Sequence, residues 1–304
     1  MLFFGHLGDI TNPERFFRQQ EYIICRGALD DQAINSVVDL YQSHIIPSER
    51  KYLRQSCQWE PNQLTPYGGV TNCLLNAHVF KKGSNGRFAD RILKLLSTPA
   101  LRETLALISG KSVDFTLYQT MLFDQTTTGP HQDWHYLDSR PNGHLIAAWI
   151  ALEDILPEGI RFYVYPGSHH FVPRATYNTD AADIHALHKN FLHEIRNHSA
   201  SEQPEMYAPP LRKGDIFFWG SRVIHGSTSG TEPRLRRRSI AAHFVPDGFA
   251  FGNLEREFIM SYSERHGLRF ANFANFDMDS EFGRQNAGLV RLWANRVKQW
   301  LKAT

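Results

Sequence analysis

Three side chains in this sequence have the types and spacing to close on one metal ion. His131 and Asp133 stand two positions apart in Gly129-Pro130-His131-Gln132-Asp133-Trp134-His135-Tyr136. In extended backbone, alternate side chains point the same way, so the imidazole and the carboxylate share a wall while Gln132 faces the other side. A third donor, His225, lies in Trp219-Gly-Ser-Arg-Val-Ile-His225-Gly-Ser227. Two imidazoles and one carboxylate form the facial set that leaves three positions of Fe(II) open. A His-x-Asp pair alone means little in a chain with 15 histidines, where a surface His beside a turn Asp is the plain alternative. A second cluster adds weight. In Arg234-Leu-Arg-Arg-Arg-Ser-Ile-Ala-Ala-His-Phe244, an extended run puts Arg237, Ser239, Ala241 and His243 on one face. A buried guanidinium beside a hydroxyl is a carboxylate clamp, because arginine presents a planar fork of donors.

These groups are far apart in sequence, so strands must bring them together. Residues 113–123 read as a strand from their β-branched and aromatic content, with Gln119, Met121 and Phe123 on one face. Further strands are expected at 130–136, 145–152, 161–165, 215–219, 222–225 and 236–244. Most helices come earlier. Asn12-Pro13 opens one, Asp30 or Asp31 caps another carrying Ile34, Val37, Val38 and Tyr41, and two more are expected at 87–96 and 99–108. Many strands preceded by helices suggest a mainly β protein with flanking helices, its core a double-stranded β-helix (jelly roll, cupin-like). We expect a single domain over residues 1–304, with the jelly-roll core at about 110–247, helical support at 12–108 and a helical extension at 249–304. That extension includes an amphipathic helix at 289–301. The Pro- and Gly-containing stretch 47–72 reads as a lid or pocket wall. The His-bearing stretch 173–208 reads as a solvated helix and loop.

Three segments together resemble the phytanoyl-CoA dioxygenase family of non-haem Fe(II), 2-oxoglutarate-dependent oxygenases. They are His131-Gln-Asp-Trp-His-Tyr-Leu-Asp-Ser-Arg-Pro141, Ala148-Trp-Ile-Ala-Leu-Glu-Asp154 and Tyr165-Pro-Gly-Ser-His169. The resemblance runs from about residue 13 to 247, and the stretch Glu158-Gly-Ile-Arg-Phe162 departs from it. It implies that His131, Asp133 and His225 hold Fe(II) and that 2-oxoglutarate and O2 are co-substrates. It further implies that Arg237, with Ser227 and Ser239, meets the far carboxylate of 2-oxoglutarate, and that Trp149, Gln132, Met121 and Gln119 adjoin that molecule. Trp134, Tyr136 and the 47–72 stretch are the expected substrate walls. Related halogenases carry a small residue where this chain has Asp133, so the resemblance implies a hydroxylase. Its expected substrate is a small molecule, a specialised metabolite or natural-product intermediate. An acyl-CoA 2-hydroxylase of the phytanoyl-CoA type is the alternative. Outside that class stand a non-catalytic sensor of metal or 2-oxo acid, and a zinc hydrolase, which would need a general base beside the metal.

Composition narrows the rest. The chain has 304 residues, 42% hydrophobic and 21% charged, with net charge +2. This offers nothing to nucleic acid or a membrane surface. Cys25, Cys57 and Cys73 are three and widely spaced, which reads as free thiols in a reducing compartment. With no basic start, no signal-like apolar run and no peroxisomal address at Leu301-Lys-Ala-Thr304, a cytoplasmic monomer or homodimer is expected.

Overall fold

The computed structural model describes residues 3–4, 10–111, 114–174, 184–253, 256–273 and 278. Among the described residues the α-helices are α1 (Pro13–Gln20), α2 (Asp31–Leu40), α3 (Gly83–Leu96), α4 (Pro99–Ser109) and α5 (Ile184–Glu202). The strands are β1 (Phe3–Phe4), β2 (Tyr22–Arg26), β3 (Tyr52–Leu53), β4 (Trp59–Glu60), β5 (Leu74–Leu75), β6 (Phe115–Phe123), β7 (Asp138–Arg140), β8 (Ile146–Ala151), β9 (Phe162–Val164), β10 (Ile216–Gly220), β11 (His225–Ser227), β12 (Ser239–Pro246), β13 (Ala250–Gly252), β14 (Ser261–Arg265) and β15 (Leu268–Asn272). Caps follow the sequence. The Asn12 side chain accepts from the Arg15 amide at 2.9 Å and Asp30 from the Ala33 amide at 2.8 Å, satisfying donors that a first helical turn leaves open.

A large sheet runs in the order β1-β2-β10-β8-β12-β6-β15-β14, with β5 also on β6. Period-2 alternation splits its side chains between two environments. Ile23 and Cys25 of β2, Ile146, Ala148 and Ile150 of β8, Ile216 and Phe218 of β10, and Ile240, Ala242 and Phe244 of β12 join one core with Ile34, Val37, Phe88, Ile92, Leu101 and Leu105 from the helices. The opposite face carries Tyr22, Ile24, Ala147, Trp149, Ala151, Phe217, Trp219 and Ala241, and packs on Phe162 and Val164 of the small β9-β11 sheet. Two sheets facing each other, with helices over the outer surface of the larger one, make a double-stranded β-helix.

On β6 the alternation is interrupted. His243 pairs with Gln119 but Phe244 pairs with Leu117, so Tyr118 is left out of the ladder as a β-bulge. The bulge lets Phe115, Leu117 and Leu122 reach the outer core while Met121 and Phe123 turn to the interior.

Several expectations are corrected. No strand forms over 130–136. His131 makes one bridge to His225 and the chain then turns. The amides of Asp133 and Trp134 both donate to the Ser221 carbonyl, at 2.8 and 3.1 Å, and those of Tyr136 and Leu137 donate back to the Asp133 carbonyl, at 3.0 and 2.9 Å. Backbone turns of this kind win over the ladder here. Residues 222–224 likewise turn, and the strand starts at His225. Beyond residue 249 the described residues form β13, β14 and β15 rather than helix, and β15 joins the large sheet beside β6. The helix expected at 289–301 lies outside the described residues. Helix α5 is not simply solvated, since Leu187, Phe191 and Ile195 pack with Trp134 and Ile224.

Candidate metal centre

The bridge between His131 and His225 hydrogen-bonds their backbones both ways, at 3.0 and 2.9 Å, and brings the ring centroids to 4.2 Å. Next to it, Gly226 has no room for a side chain: a Cβ there would lie 2.7 Å from the Tyr163 hydroxyl and 2.9 Å from the Thr128 carbonyl oxygen. Asp133 Oδ1 sits 3.7 Å from His131 Nε2 and 3.6 Å from His225 Nε2. One ligand atom from each of the three residues lies within 4.8 Å of the others. The backbone sets the tautomers. His131 Nδ1 lies 2.8 Å from the Gly129 carbonyl and His225 Nδ1 lies 3.0 Å from that of Val223. A carbonyl only accepts, so each Nδ1 carries the proton and each Nε2 offers a lone pair. This is how metal-binding imidazoles are usually oriented.

Burial opposes the Asp133 charge, yet the imidazoles of His225, His243 and His131 hold its carboxyl well below the usual range. Burial pushes His225 down to about 3, so its ring is neutral near pH 7. Each Asp133 oxygen accepts one hydrogen bond and keeps a lone pair: Tyr136 donates its hydroxyl to Oδ1 at 2.6 Å and Trp219 donates Nε1 to Oδ2 at 3.0 Å.

One cavity contains these groups and Arg237. It is lined by Gln55, Met121, Phe123, Thr128, Trp149, Phe162, Trp219, Ser227, Ala241 and His243, among others. The three neighbouring arginines part company here. Arg236 approaches Asp124 at 3.6 Å and Arg238 approaches Glu153 at 3.4 Å. Arg237 is 2% exposed and has no carboxylate partner among the described residues. It donates to the Thr126 carbonyl and lies 5.1 Å from the Phe123 ring, while its Nε is buried without a partner. Burial lowers its pKa to about 10, leaving it charged near neutral pH. Ser239 Oγ is likewise buried and unpartnered, although Ser239 is not among the residues that line the cavity. A buried cation and hydroxyl left open fit a carboxylate ligand. Two imidazoles and one carboxylate fit Fe(II).

The remaining expected site residues divide. Met121, Trp149 and Ser227 line the cavity, and Ser227 Oγ accepts from the Thr128 amide at 2.6 Å. Gln132 does not. Its amide donates to the Phe171 carbonyl at 3.0 Å and accepts from Trp134 Nε1 at 2.8 Å, so it braces the turn behind the metal motif. Trp134 packs with Phe191 and under Arg222 rather than on the cavity. Tyr136 is spent on Asp133, and Gln119 lies beside His243 at 3.4 Å. Gln55, from the 47–72 stretch, does reach the lining. Sequence reasoning missed Trp219, Phe162, Thr128 and the role of His243; alternation along β10 and β12 was the available signal for Trp219 and His243.

Residues 17–238 match the phytanoyl-CoA dioxygenase (PhyH) family, and the chain belongs to that family. It is 27% identical over 154 residues to phytanoyl-CoA dioxygenase domain-containing protein 1 of Bos taurus, covering 49% of this chain and 51% of that one. It is 26% identical over 153 residues to the peroxisomal phytanoyl-CoA dioxygenase of the same species, covering 46% and 42%. The chain thus spans about half the length of these curated relatives, or less. Among solved structures it resembles the epimerase SnoN in complex with Fe3+, alpha ketoglutarate and nogalamycin RO, with TM-score 0.55, 16% identity and coverage of 80% and 86%. It also resembles EctD from S. alaskensis with 2-oxoglutarate and 5-hydroxyectoine, with TM-score 0.51, 14% identity and coverage of 79% and 78%. At these identities the likeness carries the fold.

Proposed function

We propose that this chain is an Fe(II)- and 2-oxoglutarate-dependent dioxygenase that hydroxylates a small molecule. One observation carries the reading: a cavity with two bare Nε2 atoms and a carboxylate at one end also holds a buried, uncompensated guanidinium. His131, Asp133 and His225 would hold the ferrous ion. Arg237, with Ser239 and Ser227, would receive the far carboxylate of 2-oxoglutarate. With dioxygen, this iron and 2-oxo acid supply an oxidant able to convert C–H to C–OH. The chain's own part is to position the reactants and keep water out. Trp149, Phe162, Met121 and Phe123 supply the apolar walls for this, and Gln55 and Thr128 offer polar contacts. A specialised metabolite is the favoured substrate class, in keeping with the compounds named in the SnoN and EctD complexes. The match to the bovine peroxisomal enzyme supports an acyl-CoA thioester as the second reading.

The test is succinate release from 2-oxoglutarate by the purified chain with Fe(II) and air, against a panel of small metabolites and branched acyl-CoA thioesters. Turnover confined to thioesters selects the second reading. Arg237→Ala is expected to raise the 2-oxoglutarate requirement steeply and spare iron binding. The same effect from Arg236→Ala, or no iron binding by the parent chain, overturns the assignment.

A further inference from the structure

Three histidines surround Asp133, and their second nitrogens sort them into two kinds. His131 and His225 each give Nδ1–H to a carbonyl and turn a bare Nε2 to the cavity. His243 is different. Its Nδ1 faces the Gln119 side-chain amide, with Nε2 of Gln119 at 3.4 Å, and its own Nε2 faces Asp133 Oδ2 at 3.4 Å. An amide nitrogen only donates, so Nδ1 of His243 accepts and the ring proton sits on Nε2, toward the carboxylate. Trp219 donates to the same Oδ2 at 3.0 Å, and its ring meets that of His243 edge-on, with centroids 5.9 Å apart at 83°. Oδ1, not Oδ2, is the oxygen facing both metal-directed imidazoles; it also accepts from the Tyr136 hydroxyl at 2.6 Å, which leaves it one lone pair for a metal. His243 is 1% exposed and lies on β12, with Arg237 in the segment just before that strand; both line the cavity.

We propose that His243 is a positioning residue for the metal. Seated by Gln119 and acting with Trp219, it occupies Oδ2 of Asp133 so that the carboxylate presents Oδ1 alone. The proposal rests on the metal reading of His131, Asp133 and His225. A carboxylate held by one oxygen takes one coordination position. Released, it can take two and consume a position that a co-substrate needs.

The experiment titrates the full-length chain with Co(II), read by visible d–d absorption, with circular dichroism and melting as fold controls. His243→Phe keeps a ring and removes the donor. It is expected to weaken Co(II) binding about 10- to 100-fold, the range for supporting partners of metal ligands, and to shift the d–d bands. His243→Gln, whose amide nitrogen can stand in for Nε2, is expected to recover most of the affinity and the parental spectrum. A folded His243→Phe variant with affinity within about twofold of the parent and an unchanged spectrum overturns the proposal and leaves the metal reading intact. If His243→Phe does not fold, Gln119→Leu carries the test. It removes the amide that seats Nδ1, and an unshifted spectrum with parental affinity overturns the proposal. Co(II) binding absent from the parent, or undiminished in Asp133→Ala, removes the metal reading and the proposal together.

Discussion

The two faces of the large sheet are built from the same strands and obey different rules. On the outer face, Ile146, Ala148, Ile150, Phe218 and Phe244 meet helices through hydrocarbon, and what matters there is volume. On the inner face of the same strands, Trp149, Trp219, Arg237 and His243 meet a cavity, and what matters is which atom points where. The sheet separates stability from chemistry by a single residue of register.

That separation can be broken in graded ways. The largest expected effect is on the inner side: Asp133→Ala removes the carboxylate on which His131, His225, Tyr136 and Trp219 converge. Metal titration should show no specific site, and succinate formation should be lost. On the outer side, Phe218→Ala empties a fully buried ring site and should cost about 3–5 kcal/mol of stability by denaturant unfolding, with metal affinity of the folded fraction unchanged. A Phe218→Ala variant that folds well but loses metal would show that the faces are not separate. Arg237→Lys should raise the 2-oxoglutarate KM about 10- to 100-fold, the loss of a charge-assisted fork, while Fe(II) affinity holds. Gly226→Ala drives a Cβ into the Tyr163 hydroxyl and the Thr128 carbonyl. It should cost about 1–3 kcal/mol, with partial relief from a second change, Tyr163→Phe.

A last effect, spread over several pH units, tests the outer side. His78 is buried beneath β6, with Nδ1 at 2.9 Å from Thr120 Oγ1, and burial lowers its pKa from 6.5 to about 3. Between those values the unfolded chain binds a proton that the folded chain refuses. Its contribution is therefore intact above about pH 6.5 and is lost as pH falls toward 3, with a slope of up to about 1.4 kcal/mol per pH unit. Urea unfolding of His78→Phe over this window should lose that slope; an unchanged slope would place the acid sensitivity elsewhere.

Much of this was legible in the sequence because ligand chemistry restricts residue type. His131, Asp133 and His225 lie together, and of the three neighbouring arginines Arg237, chosen by alternation, is the one that lines the cavity. The reason given for the first pair was wrong in detail. His131 and Asp133 meet across a bridge and a turn pinned by the Ser221 carbonyl, not along a strand, and no side-chain pattern reports a carbonyl sixty or more residues away. Gln132, Trp134 and Tyr136 adjoin the ligands in sequence, yet none lines the cavity. Once the chain turns, neighbourhood in sequence stops implying neighbourhood in space. His243 shows the deeper limit. Ligand and support are the same amino acid, and only the partner of the other ring nitrogen tells them apart.

The bulge at Tyr118 gives β6 an uneven tolerance to changes in length. Tyr118 stands outside the ladder and packs against Phe251 and Phe258, with ring centroids at 4.8 and 6.0 Å. Its excision would join Leu117 to Gln119 with both still opposite their partners, sacrificing only that aromatic satellite. Removing a residue from 121 to 123 would instead turn the residues between the gap and Tyr118 to the opposite face. Natural shortening or lengthening of this strand, wherever it arises, has one place to be silent.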